Sequence, residues 1–251
     1  MGNMNKDLLE NGFVVAEKIF TDKEIDDLLF AISQADTSKP TFRKTTDLFA
    51  IRQFLKEVPA AQEIVFNGSL KQLIDELFGD EYFVVKSIYF DKPESSNWFV
   101  SYHQDLTISV DKKLDVEGFG PWTTKQNQFA VQPPLNVLQD NFTIRIHLDN
   151  TNEENGALKV IPTSHLKGIY RPETIDWTTE TEISCNAKKG GVMCMKPLLL
   201  HSSGRTTNNS KRRVLHIEFS RSLLPANLSW VERIKMRSAS TKQIAVQRPS
   251  K

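Results

Sequence analysis

The sequence predicts a mainly β protein with helices gathered at its N-terminus and packed on one face of an antiparallel sandwich or jelly roll. Helix-period apolar patterns with their own caps fill the first eighty residues. Beyond Gly79 the period shortens to that of strands, in runs rich in branched and aromatic residues. Helices first and strands afterwards argue against alternating βαβ units.

Taken in order, Thr21 followed by Glu24 forms a capping box ahead of Ile25, Leu28, Leu29 and Ile32 at helical spacing. LFAIRQFLKEVP reads as a further helix that stops before Pro59. Ser69 and Gln72 repeat the box before Leu70, Leu73, Ile74 and Leu77, and Gly79 supplies the left-handed terminus. The strand candidates are YFVVKSIYF, WFVSYH, FTIRIHLD, ALKVIP, TEISCNA, GVMCM, PLLLHS and RVLHIEFS. Residues 106–139 form a long, poorly periodic insert, expected to be a loop that walls a substrate site. We expect one domain over residues 1–230, helical over 1–79 with its β core over 80–222, and a basic flexible tail at 231–251.

A net charge of +1 lacks the basic excess of a nucleic-acid surface, so no nucleic-acid partner is expected. No run reaches the length and apolarity of a membrane span, and the start MGNMNKDLLENGF has no apolar signal core. The two cysteines, Cys185 and Cys194, are too few for a disulfide framework and read as buried thiols. A cytoplasmic setting is the expectation. No GxGxxG or GxxxxGK[ST] string occurs, which argues against a dinucleotide fold or a phosphate loop.

The chemistry concentrates in the histidines, of which there are five. His103 and Asp105 in SYHQDLTISV stand two apart on a strand-like run, so their side chains share a face and can hold one ion. His147 and Asp149 in TIRIHLDN repeat the pattern. Two histidines and a carboxylate on one side of a metal leave positions open for a chelating cosubstrate and dioxygen, as in non-haem iron(II) oxygenases. His201, in KPLLLHSSGR, is the leading third ligand, and Ser203 shares its face. In SKRRVLHIEFS, alternation sets Arg212, Val214 and His216 against Leu215, Ile217 and Phe219; an inward arginine suits a carboxylate. The wider spacing to His201 favours His103 over His147, but on the residues alone both pairs stay open.

Together these motifs resemble the phytanoyl-CoA dioxygenase family of iron(II)- and 2-oxoglutarate-dependent oxygenases. The resemblance runs over about residues 8–222, through ENGFVVAEKIFTDKEIDDL, DKPESSNWFVSYHQDLTISV, GFGPWTTK, DNTNEENGALKVIPTSHLKG and MKPLLLHSSGRTTNNSKRRVLHIEF. It implies a double-stranded β-helix of cupin-like type. It also implies His103, Asp105 and His201 as iron ligands, and Arg212 with Ser203 at the far carboxylate of 2-oxoglutarate. Under it IHLDNTNEENGALKVIP is scaffold, which sets the second HxD pair aside. The implied reaction consumes dioxygen, releases succinate and carbon dioxide, and hydroxylates a small-molecule metabolite. Asp105 is intact, whereas related halogenases vacate that position for chloride.

Other residues carry alternatives. Tyr89 is a candidate for contact with the cosubstrate, and Trp122 and Lys125 for contact with substrate. Arg145 and Arg213 can replace Arg212 if the register slips by one. His165 is expected to order a turn, His216 to be a satisfied core histidine, and Trp98 to serve packing. The rival functions are a non-catalytic jelly-roll module that binds a small molecule, and a zinc hydrolase, which leaves Arg212 without a purpose.

Overall fold

The computed structural model describes residues 2–94, 96–125 and 128–236. Its N-terminal part holds α1 (Gly2–Asn11), β1 (Phe13–Ala16), α2 (Asp22–Ser33), β2 (Phe42–Lys44), β3 (Phe49–Arg52), α3 (Phe54–Glu57), α4 (Ala61–Val65) and α5 (Gly68–Leu77). Thr21 caps α2 through the expected reciprocal box with Glu24, and α2 buries Ile25 and Leu28. Gly79 takes φ +90° after α5. The cap of α5 is Asn67, whose side chain accepts from Leu70 N, not Ser69. LFAIRQFLKEVP is not one helix: Phe49–Arg52 is a strand, Gln53 turns at φ 51°, and Phe54–Glu57 makes a single helical turn. The edge of the neighbouring strand satisfies this backbone, and that pairing overrides the helical spacing.

The β part comprises β4 (Phe83–Lys92), β5 (Val100–His103), β6 (Ile108–Val110), β7 (Trp122–Lys125), β8 (Gln128–Val131), α6 (Leu135–Gln139), β9 (Asn141–His147), β10 (Leu158–Val160), β11 (Ile183–Cys185), β12 (Val192–Met195), β13 (His201–Ser203), β14 (Arg212–Ser220) and β15 (Ile234–Lys235). A large sheet runs β1-β12-β9-β14-β4-β3-β2, with β15 also on β4; a smaller one runs β11-β10-β13-β5. All pairings are antiparallel, and the architecture is jelly-roll-like.

The outer face of the large sheet is apolar and carries the helices. Ile144, Ile146, Leu215, Ile217 and Phe219 pack there with Ile25, Leu28, Leu70 and Ile74. Phe142 stacks between Phe78 and Phe219, at centroid distances of 3.6 and 4.7 Å, and fastens the end of α5 to β9 and β14. The inner face alternates with this one and is polar: Thr143, Arg145, His147, Arg212, His216 and Glu218 are all buried. Strands buried on both faces normally read as continuous apolar runs. Here the alternation marks a polar interior that faces the smaller sheet. Met193, Met195, Leu158, Val160 and Leu199 fill the rest of the gap between the two sheets.

The insert at 106–139 is not a loop. It folds as a third sheet, β6-β8-β7, followed by α6. Its strands are three or four residues long, too short for a period to show in the sequence. The chain also stays in the fold past 230: β15 pairs with β4, and buried Glu232 accepts from Ser87 N and Oγ at 2.6 and 2.7 Å. Residues 237–251 of the expected tail lie outside the described residues. Among the described residues no helix is long and apolar enough to cross a membrane.

Candidate active site

β5 and β13 lie side by side with His103 opposite His201, and their ring centroids are 4.2 Å apart. Each Nδ1 bonds the carbonyl two residues earlier, Ser101 O for His103 and Leu199 O for His201, both at 2.9 Å. Holding Nδ1 as the donor leaves Nε2 with its lone pair, the form that ligates metal. Asp105 follows β5, its backbone N–H fixed on Pro197 O at 2.9 Å. Ligand atoms of His103, Asp105 and His201 lie within 4.8 Å of one another.

Gln104 between the ligands points away. Its amide donates to Gly168 O and Leu198 O and accepts from Tyr170 N, which anchors this corner to two other loops. Burial pushes the Asp105 carboxyl up, but His201, His216, Lys86 and His103 around it outweigh that and hold it at about 2. Burial takes His201 down to about 4, with Asp105 opposing. The carboxylate is therefore ionised and the His201 imidazole neutral at neutral pH, as ligation requires.

The second HxD pair is occupied by scaffold. Asp149 takes two bonds from the Arg213 guanidinium, at 2.9 and 2.6 Å, and a third from its backbone N–H at 2.9 Å. His147 Nδ1 bonds Thr151 Oγ1 at 2.9 Å. This ion pair removes Asp149 as a ligand and Arg213 as a cosubstrate residue together.

A cavity of about 170 Å³ lies over the three ligands, walled also by Arg145, Ser203, Arg212 and Trp98. Arg212 is 3% exposed, and its guanidinium bonds no group among the described residues. Lys92 is its cross-strand partner and is fully buried, with Nζ donating to Gly204 O and no carboxylate paired with it among the described residues. Burial, then Arg212 and Arg205, lower Lys92 to about 8; burial and Arg145 lower Arg212 to about 9. Two buried cations without an anion are costly unless something negative joins them. Ser203 faces the same space, its hydroxyl donating to Gly156 O at 3.1 Å.

Unpartnered buried atoms test whether a metal and a dianion fit. Asp105 Oδ2, Arg145 Nε, His147 Nε2 and Arg212 Nε all lack partners, and all belong to this region of the inner face. Native interiors rarely leave such groups unsatisfied. A divalent cation on Asp105 and a carboxylate on Arg212 would satisfy two of them, so the residues fit both groups.

Behind Asp105 runs a polar chain that the sequence reading did not find. Lys86 donates to Glu218 Oε1 at 2.6 Å, His216 Nε2 meets the same oxygen at 3.1 Å, and Arg145 Nη1 meets His216 Nδ1 at 3.2 Å. His216 is a satisfied histidine, as expected, but it lines the cavity. Asp105, His216 and Glu218 also come within 4.8 Å, yet Lys86 already occupies the Glu218 carboxylate. The available signal was the period-two row Lys86, Ile88, Phe90, Lys92 on β4, read across to β14.

Two expected site residues fall elsewhere, and the side chain of a third is not described. Tyr89 alternates with Ile88 and Phe90 and therefore faces the helices: it is buried against Phe49 and Phe54, its hydroxyl donating to Asp91. That facing removes it from the cosubstrate. Trp122 packs under the third sheet and is not on the metal-facing wall. Lys125 ends β7, and its side chain lies outside the described residues. His165 orders a turn as expected, with Nε2 on Leu9 O at 3.1 Å. Trp98 stacks on Phe90 and also walls the cavity.

Comparison with known proteins agrees with this geometry. The family model described as "Phytanoyl-CoA dioxygenase (PhyH)" matches residues 8–214. No curated protein matches the chain. Similar solved structures include EctD from S. alaskensis with 2-oxoglutarate and 5-hydroxyectoine, at 18% identity and TM-score 0.67 over 88% of this chain and 76% of that one. The non-heme alpha ketoglutarate dependent carbocyclase SnoK from nogalamycin biosynthesis matches at 15% and 0.66, over 88% and 83%. HygX from Streptomyces hygroscopicus, with nickel, 2-oxoglutarate and hygromycin B bound, matches at 13% and 0.62, over 88% and 87%. These structures share the fold, and the family match over most of the chain places the protein in the phytanoyl-CoA dioxygenase family of iron- and 2-oxoglutarate-dependent oxygenases.

Proposed function

We propose that this protein is an iron(II)- and 2-oxoglutarate-dependent dioxygenase on a double-stranded β-helix of cupin-like type, hydroxylating a small-molecule metabolite in the cytoplasm. One observation carries the reading: a two-histidine, one-carboxylate cluster shares a cavity with Arg212, a buried arginine that has no anion among the described residues. A zinc hydrolase needs the first and gives no reason for the second.

His103, Asp105 and His201 would hold the iron, the two imidazoles through the Nε2 atoms their Nδ1 bonds leave free and Asp105 through a carboxylate oxygen. Iron, when bound, supplies dioxygen activation coupled to oxidative decarboxylation of 2-oxoglutarate to succinate and carbon dioxide. Arg212 would grip the distal carboxylate and Ser203 would turn its hydroxyl from Gly156 O toward it, while Lys92, across the strand pair from Arg212 but not on the cavity lining, would add a second charge behind it. Burial of His201, Ser203 and Arg212 between the two sheets strengthens the contacts they make. An intact Asp105 favours hydroxylation over halogenation.

Succinate release tests the reading. Purified protein given iron(II), 2-oxoglutarate and oxygen is expected to form succinate slowly without substrate, and Arg212→Ala to lose that turnover. Tight 2-oxoglutarate binding without any succinate would instead identify a non-catalytic binding module.

A further inference from the structure

A second cavity, of about 390 Å³, adjoins the metal-facing one and shares Lys86 and Ile88 with it. One wall is the inner face of β3 and β4, and the other is the third sheet formed by the insert. Arg52 lies directly across from Ile88, Ile88 from His216, and His216 from Arg145, so four side chains form one inward row. At a strand spacing of about 4.8 Å, Arg52 stands roughly 10 Å from His216. His216 itself is within reach of Asp105. The row thus leads from the metal ligands to Arg52 over about the length of a small metabolite.

The other charged groups on these walls are engaged. Lys86 is held by Glu218, Glu232 accepts two bonds from Ser87, and Asp111 accepts from Ser229 N at 2.9 Å. Arg52 is half-buried, and its guanidinium bonds nothing among the described residues. The side chains of Thr107, Ser109, Thr123 and Gln128 around it have no hydrogen-bond partners among the described residues either. An arginine fork beside unspent hydroxyl and amide groups is built for a planar or tetrahedral oxyanion on a polar carbon frame.

We propose that the substrate carries a carboxylate or phosphate that Arg52 receives at the far end of this second cavity, while its reacting carbon lies toward His103, Asp105 and His201. The proposal rests on the oxygenase reading and narrows its substrate class. It also gives the insert a function: the insert closes over the substrate's polar frame.

Inorganic phosphate and acetate serve as probes, with manganese(II) in place of iron and 2-oxoglutarate saturating Arg212. Phosphate held near Arg52 should show saturable paramagnetic enhancement of its ³¹P relaxation, and acetate the same at ¹³C. Arg52→Gln should weaken the enhancing site at least tenfold, and Arg52→Lys should recover part of it, each at the wild-type melting temperature. Enhancement by phosphate alone, or acetate alone, identifies which oxyanion the substrate carries. No saturable enhancement by either probe, or enhancement unchanged in Arg52→Gln, overturns the proposal. Failure of manganese itself to bind the wild-type protein, or manganese binding unchanged in His103→Ala, would instead count against the oxygenase reading.

Discussion

His103 and His201 are direct cross-strand partners, 4.2 Å apart at their ring centroids, and each imidazole is locked by the backbone carbonyl two residues before it. A metal site made this way has two ligands preset before the ion arrives. Replacing His103, Asp105 or His201 with alanine is therefore expected to cut iron(II) affinity by about 100-fold or more, since each removes one of three oriented ligands. His147→Ala should retain iron. Equilibrium dialysis of the four variants checks this, and loss of iron in His147→Ala alone would reverse the assignment.

The ion pair of Arg213 with Asp149 is structural. Both side chains are under a fifth exposed, at 19% and 18%, and the contact is bidentate. Asp149→Ala should destabilise the fold by about 1–3 kcal/mol, mainly by leaving Arg213 half-buried and unpaired. Iron affinity should not change. Urea unfolding with parallel metal titration separates the two effects.

Much of this site was legible in residue spacing. His103 with Asp105, His201 with Ser203, and the inward row of Arg212, Val214 and His216 follow from a period of two. The second HxD pair could not be dismissed from spacing, because only folding brings Arg213 to Asp149. Lys92 was missed for a related reason: the strand candidate YFVVKSIYF stops at Phe90, yet β4 runs on through Lys92 and pairs it with Arg212. Tyr89 erred by one position on that strand, which reverses a side chain's face. The helix expected over LFAIRQFLKEVP failed because the open edge of β4 gave the segment a better backbone partner.

If Arg212 holds the cosubstrate as proposed, it trades stability for function. Buried without an anion, it costs the empty protein, so Arg212→Met should raise the melting temperature of the protein without 2-oxoglutarate. The same variant should lose the stabilisation that 2-oxoglutarate gives the wild type and bind it about 100-fold more weakly or worse. Thermal melts with and without 2-oxoglutarate measure both. A variant less stable than wild type in both conditions would contradict this role.

With the cosubstrate carboxylate on Arg212 as proposed, Lys92 across from it should make binding depend on pH. Its ammonium, lowered to about 8 from an ordinary 10.5, is largely neutral at pH 9 in the empty protein. An arriving carboxylate favours the charged form and raises this value, so binding at pH 9 must take up a proton. Affinity should be full below pH 8 and fall as pH rises from 8 toward 10. Calorimetry in two buffers of different ionisation enthalpy reads the proton directly; no uptake at pH 9 would place the carboxylate away from Lys92.

The most direct test of the account is the visible spectrum of the anaerobic protein with iron(II) and 2-oxoglutarate. If His103, Asp105 and His201 hold the metal and leave room for a chelating keto acid, a weak metal-to-ligand charge-transfer band appears on adding 2-oxoglutarate. It should be absent in Asp105→Ala and should need far more 2-oxoglutarate in Arg212→Ala. No band in the wild-type protein at saturating iron and 2-oxoglutarate would contradict the oxygenase assignment.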